Sequence, residues 1–202
     1  NLGEGRAFLG GNIRKSVLSF LPQVKKKDVA VLELSSFQLE DLRREKKSPQ
    51  IAVFTNLLRD HLNRHKNIRE YADAKSIIFK FQKNRDVLFA NPRDPAVKKL
   101  VRHAPSKVIF PSLPRKLKSI VDHNLGPHYE SSAALAVAVA KYFSVSPAAI
   151  AKELKKFKGL EGRQQYIATI GGVRFINDTT ATIPDATIEA VLRFRGLSKG
   201  KL

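Results

Sequence analysis

Along the chain, apolar residues gather first in short continuous runs: DVAVLELS at 28–35, IAVFTN at 51–56, DVLFAN at 86–91 and the weaker KVIF at 107–110. A continuous run, unlike an alternating one, suits a strand buried on both faces, so these four predict parallel strands. Between them the apolar spacing changes to three and four. Residues 36–46 set Phe37, Leu39 and Leu42 among charges, 68–82 carry Tyr71, Ala74, Ile78 and Phe81, and 95–101 form a shorter candidate helix. Strand alternating with helix predicts an α/β fold, a doubly wound and mostly parallel sheet flanked by helices. A long helix over 130–143 follows, and its small-residue face (Ala133, Ala134, Ala136, Val137, Ala140) predicts close packing on the sheet. Pro147 sits at a favourable first-turn position for the next helix, 148–156.

The pattern then breaks. Residues 166–170 and 173–177 flank Gly171-Gly172, a hairpin signal, and 184–194 read as helix. A boundary near 159–163 divides the chain into a larger unit, 1–160, and the beginning of a second α/β unit, 161–202. At about forty residues the second is too short to bury an ordinary core by itself.

Composition narrows the class. Apolar residues make up 43% and charged residues 27%, as in a globular protein, which excludes global disorder, collagen and coiled coil. The longest apolar run is far shorter than a membrane span. The absence of cysteine excludes disulfides, thiolate zinc sites and cysteine nucleophiles. A net charge of +19 invites a nucleic-acid reading. The excess is spread evenly along the chain, however, and no zinc finger, RGG tract or RNP-type motif occurs, so nucleic-acid binding is the less favoured reading. The 202 residues contain no methionine and open on Asn1, which predicts a processed product or a piece of a longer one.

Five constellations carry candidate chemistry. Glu33 ends the first clear run and is followed by Ser35 and Ser36; ligands bind at that edge of open α/β sheets, and a carboxylate there suits a hard cation near phosphates. The plainer reading is a strand-end charge with serines capping a helix. Thr55-Asn56 ends the next run and Asp60-His61-Leu62-Asn63-Arg64-His65 follows, so His61 reaches the same crevice, to hold a divalent ion with Glu33 or to cap a loop; His65 reads as structural or exposed. Lys75 lies in the apolar-leaning part of a helix. A partly buried lysine can have a depressed pKa, and its neutral amine can then react with CO₂ to give a carbamate, an oxygen ligand; the alternative is an ordinary exposed lysine. Arg163 at the boundary is either a phosphate clamp or an exposed hinge residue. Asp178-Thr179-Thr180-Ala181-Thr182 suits polar ligand contacts or an ordinary capped turn.

Taken in order, these stretches resemble the Mur ligase family of peptidoglycan precursor synthesis, in its D-glutamate-adding branch. The resemblance rests on Gly10-Gly11-Asn12-Ile13, the run from Val31 to Glu40 (VLELSSFQLE), Thr55-Asn56 with Asp60 to His65, Tyr71 to Lys75, Phe157 to Arg163, and Phe175 to Asp178 with Ala181-Thr182. It implies an ATP-dependent amide-bond ligase with ATP as substrate and Mg²⁺ as its ion. D-glutamate would be added to UDP-N-acetylmuramoyl-L-alanine through an acyl phosphate. Glu33, His61 and Lys75 would be the catalytic and metal-site residues, Lys75 as its carbamate. Asn12 and Ser36 would lie toward the UDP-linked substrate and Thr182 toward D-glutamate, while Arg163, Asp178 and His128 would meet the nucleotide. The resemblance also implies a bacterial cytoplasmic protein, monomeric at full length.

The chain departs from the family pattern at several points. It contains no G-x-x-x-x-G-K-[ST] loop. The family's His-Asn-x-x-Asn motif aligns without gaps on His128-Tyr129-Glu130-Ser131-Ser132, or on His123-Asn124 with an insertion. Gly162 stands in place of the histidine before Arg163, and the Asp-Ser-Lys-Ala-Thr-Asn stretch reads Asp178 to Ile183. The chain is therefore expected to begin after the phosphate loop and not to ligate alone. Two other readings are another amino-acid ligase of the superfamily, including one acting on folate, and a non-catalytic basic module that binds nucleic acid.

Overall fold

The computed structural model describes residues 5–13, 15–58 and 64–197. Its elements run β1 (Ala7–Gly11), β2 (Val29–Glu33), α1 (Ser36–Arg44), β3 (Ile51–Phe54), α2 (Ile68–Lys80), β4 (Val87–Ala90), α3 (Pro95–Leu100), β5 (Lys107–Ile109), α4 (Arg115–Asn124), α5 (Glu130–Tyr142), α6 (Pro147–Lys156), β6 (Gln165–Ile170), β7 (Val173–Asn177) and α7 (Pro184–Leu197). All four runs expected to be strands are strands. β1 and α4 are additional; α4 carries the helical spacing Leu117, Ile120, Val121 directly after Pro114.

The fold is α/β with parallel strands flanked by helices, and its strands fall in separate hydrogen-bonded groups. β3, β4 and β5 lie side by side in that order, all parallel, with α2 and α3 as crossovers. β1 and β2 form a parallel pair in which Gly11 faces Glu33. β6 and β7 form an antiparallel hairpin.

β4 is the centre of the core, with every residue buried. On one face Phe54, Phe79, Leu88, Val97 and Val101 pack together; on the other Val87 and Phe89 meet Leu135 of α5. The small-residue face of α5 does something other than expected. It is Leu135, with Ala138 and Val139 beside it, that meets the sheet, while Ala133, Ala134 and Val137 turn to α4 and α6 and join Val121, Leu125 and Ile150. Small side chains there let three helices approach closely instead of one helix and a sheet.

β2 also departs from the expected burial. Its apolar run is exposed along most of its length, Val31 being 50% exposed. The run is as apolar as β4, but among the described residues no helix layer covers both its faces.

The helix ends follow their capping residues. Ser35 and Gln38 form a reciprocal capping box at the start of α1. Asn67, Asp94 and Ser146 accept first-turn amides on their side chains at the starts of α2, α3 and α6, with Pro at the first turn of α3 and α6.

Candidate functional site

The expected site residues gather in two places. At the carboxyl end of β2 the chain turns so that Asn12 Nδ2 donates to Glu33 Oε1 at 3.1 Å. Gly11 makes this possible. It has φ +97°, and its Cα lies against the backbone of Glu33 so closely that no side chain fits. The Asn12 amide then donates to the Glu33 carbonyl at 2.8 Å. Glu33 itself is exposed, an oxygen donor open to a ligand.

One turn into the structure from Glu33, Ser36 is buried, and its Oγ stands 3.1 Å from Nε2 of His65. His65 is 1% exposed, stacked on Phe37 at 5.9 Å and tilted against Tyr71 at 5.2 Å. It is thus structural, and it joins the start of α1 to α2. Lys75, one helical turn after Tyr71 on α2, donates from Nζ to the Tyr71 hydroxyl at 3.4 Å and stands 5.7 Å from the Phe54 ring centroid. An ammonium in this place is attracted to both ring faces. The lysine is partly buried. His61, expected beside Glu33, lies outside the described residues, as does Asp60. Among the described residues no cluster of three or more His, Asp or Glu stands ready to hold a metal ion.

The second place is a cavity of about 740 Å³. Its apolar wall is the small-residue face of α5 and the facing side of α6, with Ala136, Ala140 and Ile150 among its residues. Its polar lining includes His128, Arg163 and Asp178, three residues far apart in sequence. Asp178 Oδ1 accepts the Gln164 amide at 3.0 Å, and the carbonyl of Gly162 accepts both the amide and the hydroxyl of Thr180, at 3.0 and 2.7 Å. These bonds close the 178–181 turn against the 160–165 turn and set Arg163 beside Asp178. Tyr129 stacks edge-on against Phe157 and receives the Leu160 amide on its hydroxyl at 3.3 Å. Thr182 is exposed and is not part of the cavity lining.

Burial, and then the positive charge of Arg193, push the His128 imidazole down to about 4, against a smaller opposing pull from Asp178. It is therefore neutral at pH 7. Its Nδ1 is buried without a hydrogen-bond partner among the described residues, unusual for a polar atom unless a ligand or water meets it. Arg193 and Tyr129 escaped the sequence reading. Nothing local marks Arg193, an arginine in an ordinary amphipathic helix; Tyr129 sits in the segment aligned with the family motif, but an aromatic after a histidine is a weak signal.

Solved structures with the same fold include the MurF ligase of Acinetobacter baumannii (TM-score 0.64, 17% identity, 94% of this chain and 54% of that one). The MurF ligase of Thermotoga maritima in complex with ADP is another (TM-score 0.63, 15% identity, 94% and 57%). At sequence level the Mur ligase middle domain matches residues 13–149, and the chain belongs to the Mur ligase family. Among curated relatives, the UDP-N-acetylmuramoylalanine–D-glutamate ligase of Koribacter versatilis is 33% identical, over 98% of this chain and 48% of that protein. The enzyme of the same name from Clostridioides difficile is 31% identical, over 91% and 45%. The chain spans about half the length of the curated relatives it matches. Among the described residues no helix is long and apolar enough to cross a membrane.

Proposed function

We propose that this chain supplies the nucleotide- and metal-binding part of an ATP-dependent amide-bond ligase that adds D-glutamate to UDP-N-acetylmuramoyl-L-alanine in the bacterial cytoplasm. One observation carries the nucleotide half of this reading: His128, Arg163 and Asp178, drawn from three separate segments, line one cavity. The ring of a nucleotide base suits its apolar wall, and the Arg163 guanidinium, exposed beside it, suits a phosphate. The substrate assignment follows the relatives, which carry that name.

In the reaction, the terminal carboxylate of the UDP-linked substrate attacks the γ-phosphorus of ATP. An acyl phosphate forms and ADP leaves. The amine of D-glutamate attacks the acyl carbon, the amide bond forms, and phosphate departs with a proton lost from nitrogen. Glu33, His61 and Lys75 would hold Mg²⁺, which offsets negative charge on the transferring phosphoryl group. The donor chemistry fits a hard ion, since Glu33 offers an exposed carboxylate and a carbamate on Lys75 would add oxygens. The carbamate forms when the neutral amine attacks CO₂ and releases one proton. Asn12 orients the Glu33 carboxylate through its amide, and His65 and Tyr71 orient Ser36 and Lys75. Thr182 is assigned to the D-glutamate side. The complete reaction also needs a phosphate-binding loop, a motif these 202 residues do not contain, so the chain by itself is expected not to ligate.

Two measurements test the reading. Fluorescent mant-ADP should bind the chain saturably and be displaced by ATP, and Arg163→Ala or Asp178→Asn should weaken it about tenfold, roughly 1.4 kcal/mol. No saturable binding overturns the nucleotide assignment. In the full-length gene product, phosphate release from ATP should require D-glutamate. Glu33→Gln or Lys75→Ala should lower it at least about a hundredfold, roughly 3 kcal/mol. Turnover that prefers another amino acid overturns the substrate assignment, and unchanged turnover removes the substituted residue from the site.

A further inference from the structure

Arg193 projects from the middle of α7, the last described element. Its Nη2 donates to the carbonyl of Leu125 at 2.9 Å, and its Nη1 donates to Gln164 Oε1 at 2.9 Å and stands 3.5 Å from Nε2 of His128. Leu125 closes α4, where carbonyls have lost their helical partners and the dipole is negative. The next residue, Gly126, has φ +98°, and a Cβ there would stand 2.9 to 3.0 Å from three guanidinium atoms. The absence of a side chain at Gly126 is what lets the guanidinium rest against the backbone.

The other end of this contact is strained. Gln164 is one of only a few non-glycine residues among those described with positive φ, at +47°. Such a backbone costs about 1 kcal/mol or more and persists only when neighbours hold it. Two neighbours do. Arg193 holds its side chain and Asp178 holds its amide. Gln164 follows Arg163 directly, so its backbone sets where Arg163 emerges. One cation thus links α7, the end of α4, the segment carrying His128, and the turn carrying Arg163.

We propose that Arg193 is a positioning residue for the nucleotide cavity: by pinning Gln164 and the Leu125–Gly126 corner it fixes Arg163, Asp178 and His128 in one binding geometry. The proposal rests on the nucleotide reading of that cavity. A merely structural arginine on a helix would stabilise the fold and leave affinity alone. This one touches the cavity residues themselves or their immediate chain neighbours, on a helix that also lines the cavity with Ala186 and Glu189.

The test uses the 202-residue chain and mant-ADP. Arg193→Gln is expected to weaken mant-ADP at least tenfold under conditions where circular dichroism shows the variant still folded. Arg193→Lys should recover only a small part of the loss, because an ammonium cannot reach the Leu125 carbonyl and Gln164 together in the fork geometry of a guanidinium. Gly126→Ala, which displaces the guanidinium without removing the charge, should weaken binding in the same direction by a smaller factor. In Arg193→Gln the Gln164 amide should exchange with solvent at least tenfold faster while that of Ile77, in the buried core, is unchanged. The NMR titration of His128 should move up from about 4 as the neighbouring cation is removed. If the unsubstituted chain binds mant-ADP and Arg193→Gln binds it equally well, the proposal fails alone. If the unsubstituted chain does not bind, the nucleotide reading fails and the proposal with it. Full rescue by lysine also overturns it, since charge would then suffice.

Discussion

The β1–β2 pair and the β3–β4–β5 sheet are built of the same material, short parallel strands of Val, Leu, Ile and Phe, and are held in opposite ways. β4 has a layer of side chains on each face, from α2 and α3 on one side and α5 on the other. β2 is exposed along most of its length. What holds the pair is a set of polar and local contacts: Arg6 with Asp28 at 2.9 Å, Asn12 with Glu33, the close approach at Gly11, and the Phe8–Phe20 stack at 5.3 Å. Strand pairing follows from the chain's own propensity, but burial needs a partner layer. The two candidate sites divide along the same line: Glu33 stands on the open pair, and the cavity sits among packed helices.

The contrast breaks most visibly by truncating one leucine. Leu88, 0% exposed at the centre of β4, should cost about 3–5 kcal/mol as Leu88→Ala, read from the urea midpoint at constant m-value. Val31→Ala, on the open pair, should cost about 1 kcal/mol or less, because that side chain is half exposed already. Equal losses would mean that the pair is as well packed as the core. Gly11→Ala comes next, at about 1–3 kcal/mol, since the new side chain must adopt φ +97° and push on the Glu33 backbone. Its signature is loss of the slowed exchange of the Asn12 amide. Smaller still are the helix caps. Ser35→Ala on α1 and Ser146→Ala on α6 should each cost about 1 kcal/mol, the same in both regions, because a cap is a local bond.

The last tests are in pH, and they order the two regions. His128 is lowered from 6.5 to about 4, so the fold favours its neutral form. Its contribution is complete above 6.5 and lost as pH falls from 6.5 through 4. Asp28 is lowered from 3.8 to about 2, first by the side-chain hydrogen bond from Arg6, then by the Arg6 and Lys25 amides. Its contribution is complete above 3.8 and lost as pH falls through 2. Acid should therefore loosen the cavity side first and the strand pair second. Amide exchange at Gly126 and at Val29, followed down the pH scale, reads the two steps; His128→Gln should flatten the first and Asp28→Asn the second. Loosening at Val29 before Gly126 would contradict this order.

Much of this was legible in the chain. The four apolar runs, the helices between them, the Gly171-Gly172 hairpin and the caps are local patterns, and local patterns specify local structure. The motif residues could be singled out because catalytic chemistry needs particular side chains at strand ends. β1 was missed because AFLGG is short and ends in two glycines. The face of α5 was assigned to the wrong neighbour because small residues fit a helix as well as a sheet. His65 was ambiguous until its ring was seen between Phe37 and Tyr71.

The sequence by itself determined the order of four parallel strands and the helices between them, the parallel α/β class, the family, and the candidate residues for a metal ion or a nucleotide. It could do so because propensity, capping and motif spacing act over a few residues. Only the tertiary structure decided which of the apolar strands is buried, that His128, Arg163 and Asp178 share one cavity, and that Arg193 ties their segments together. Those facts depend on contacts between residues that are distant along the chain, such as the 68 positions between Leu125 and Arg193. No local pattern encodes them; they come into being when the helices pack.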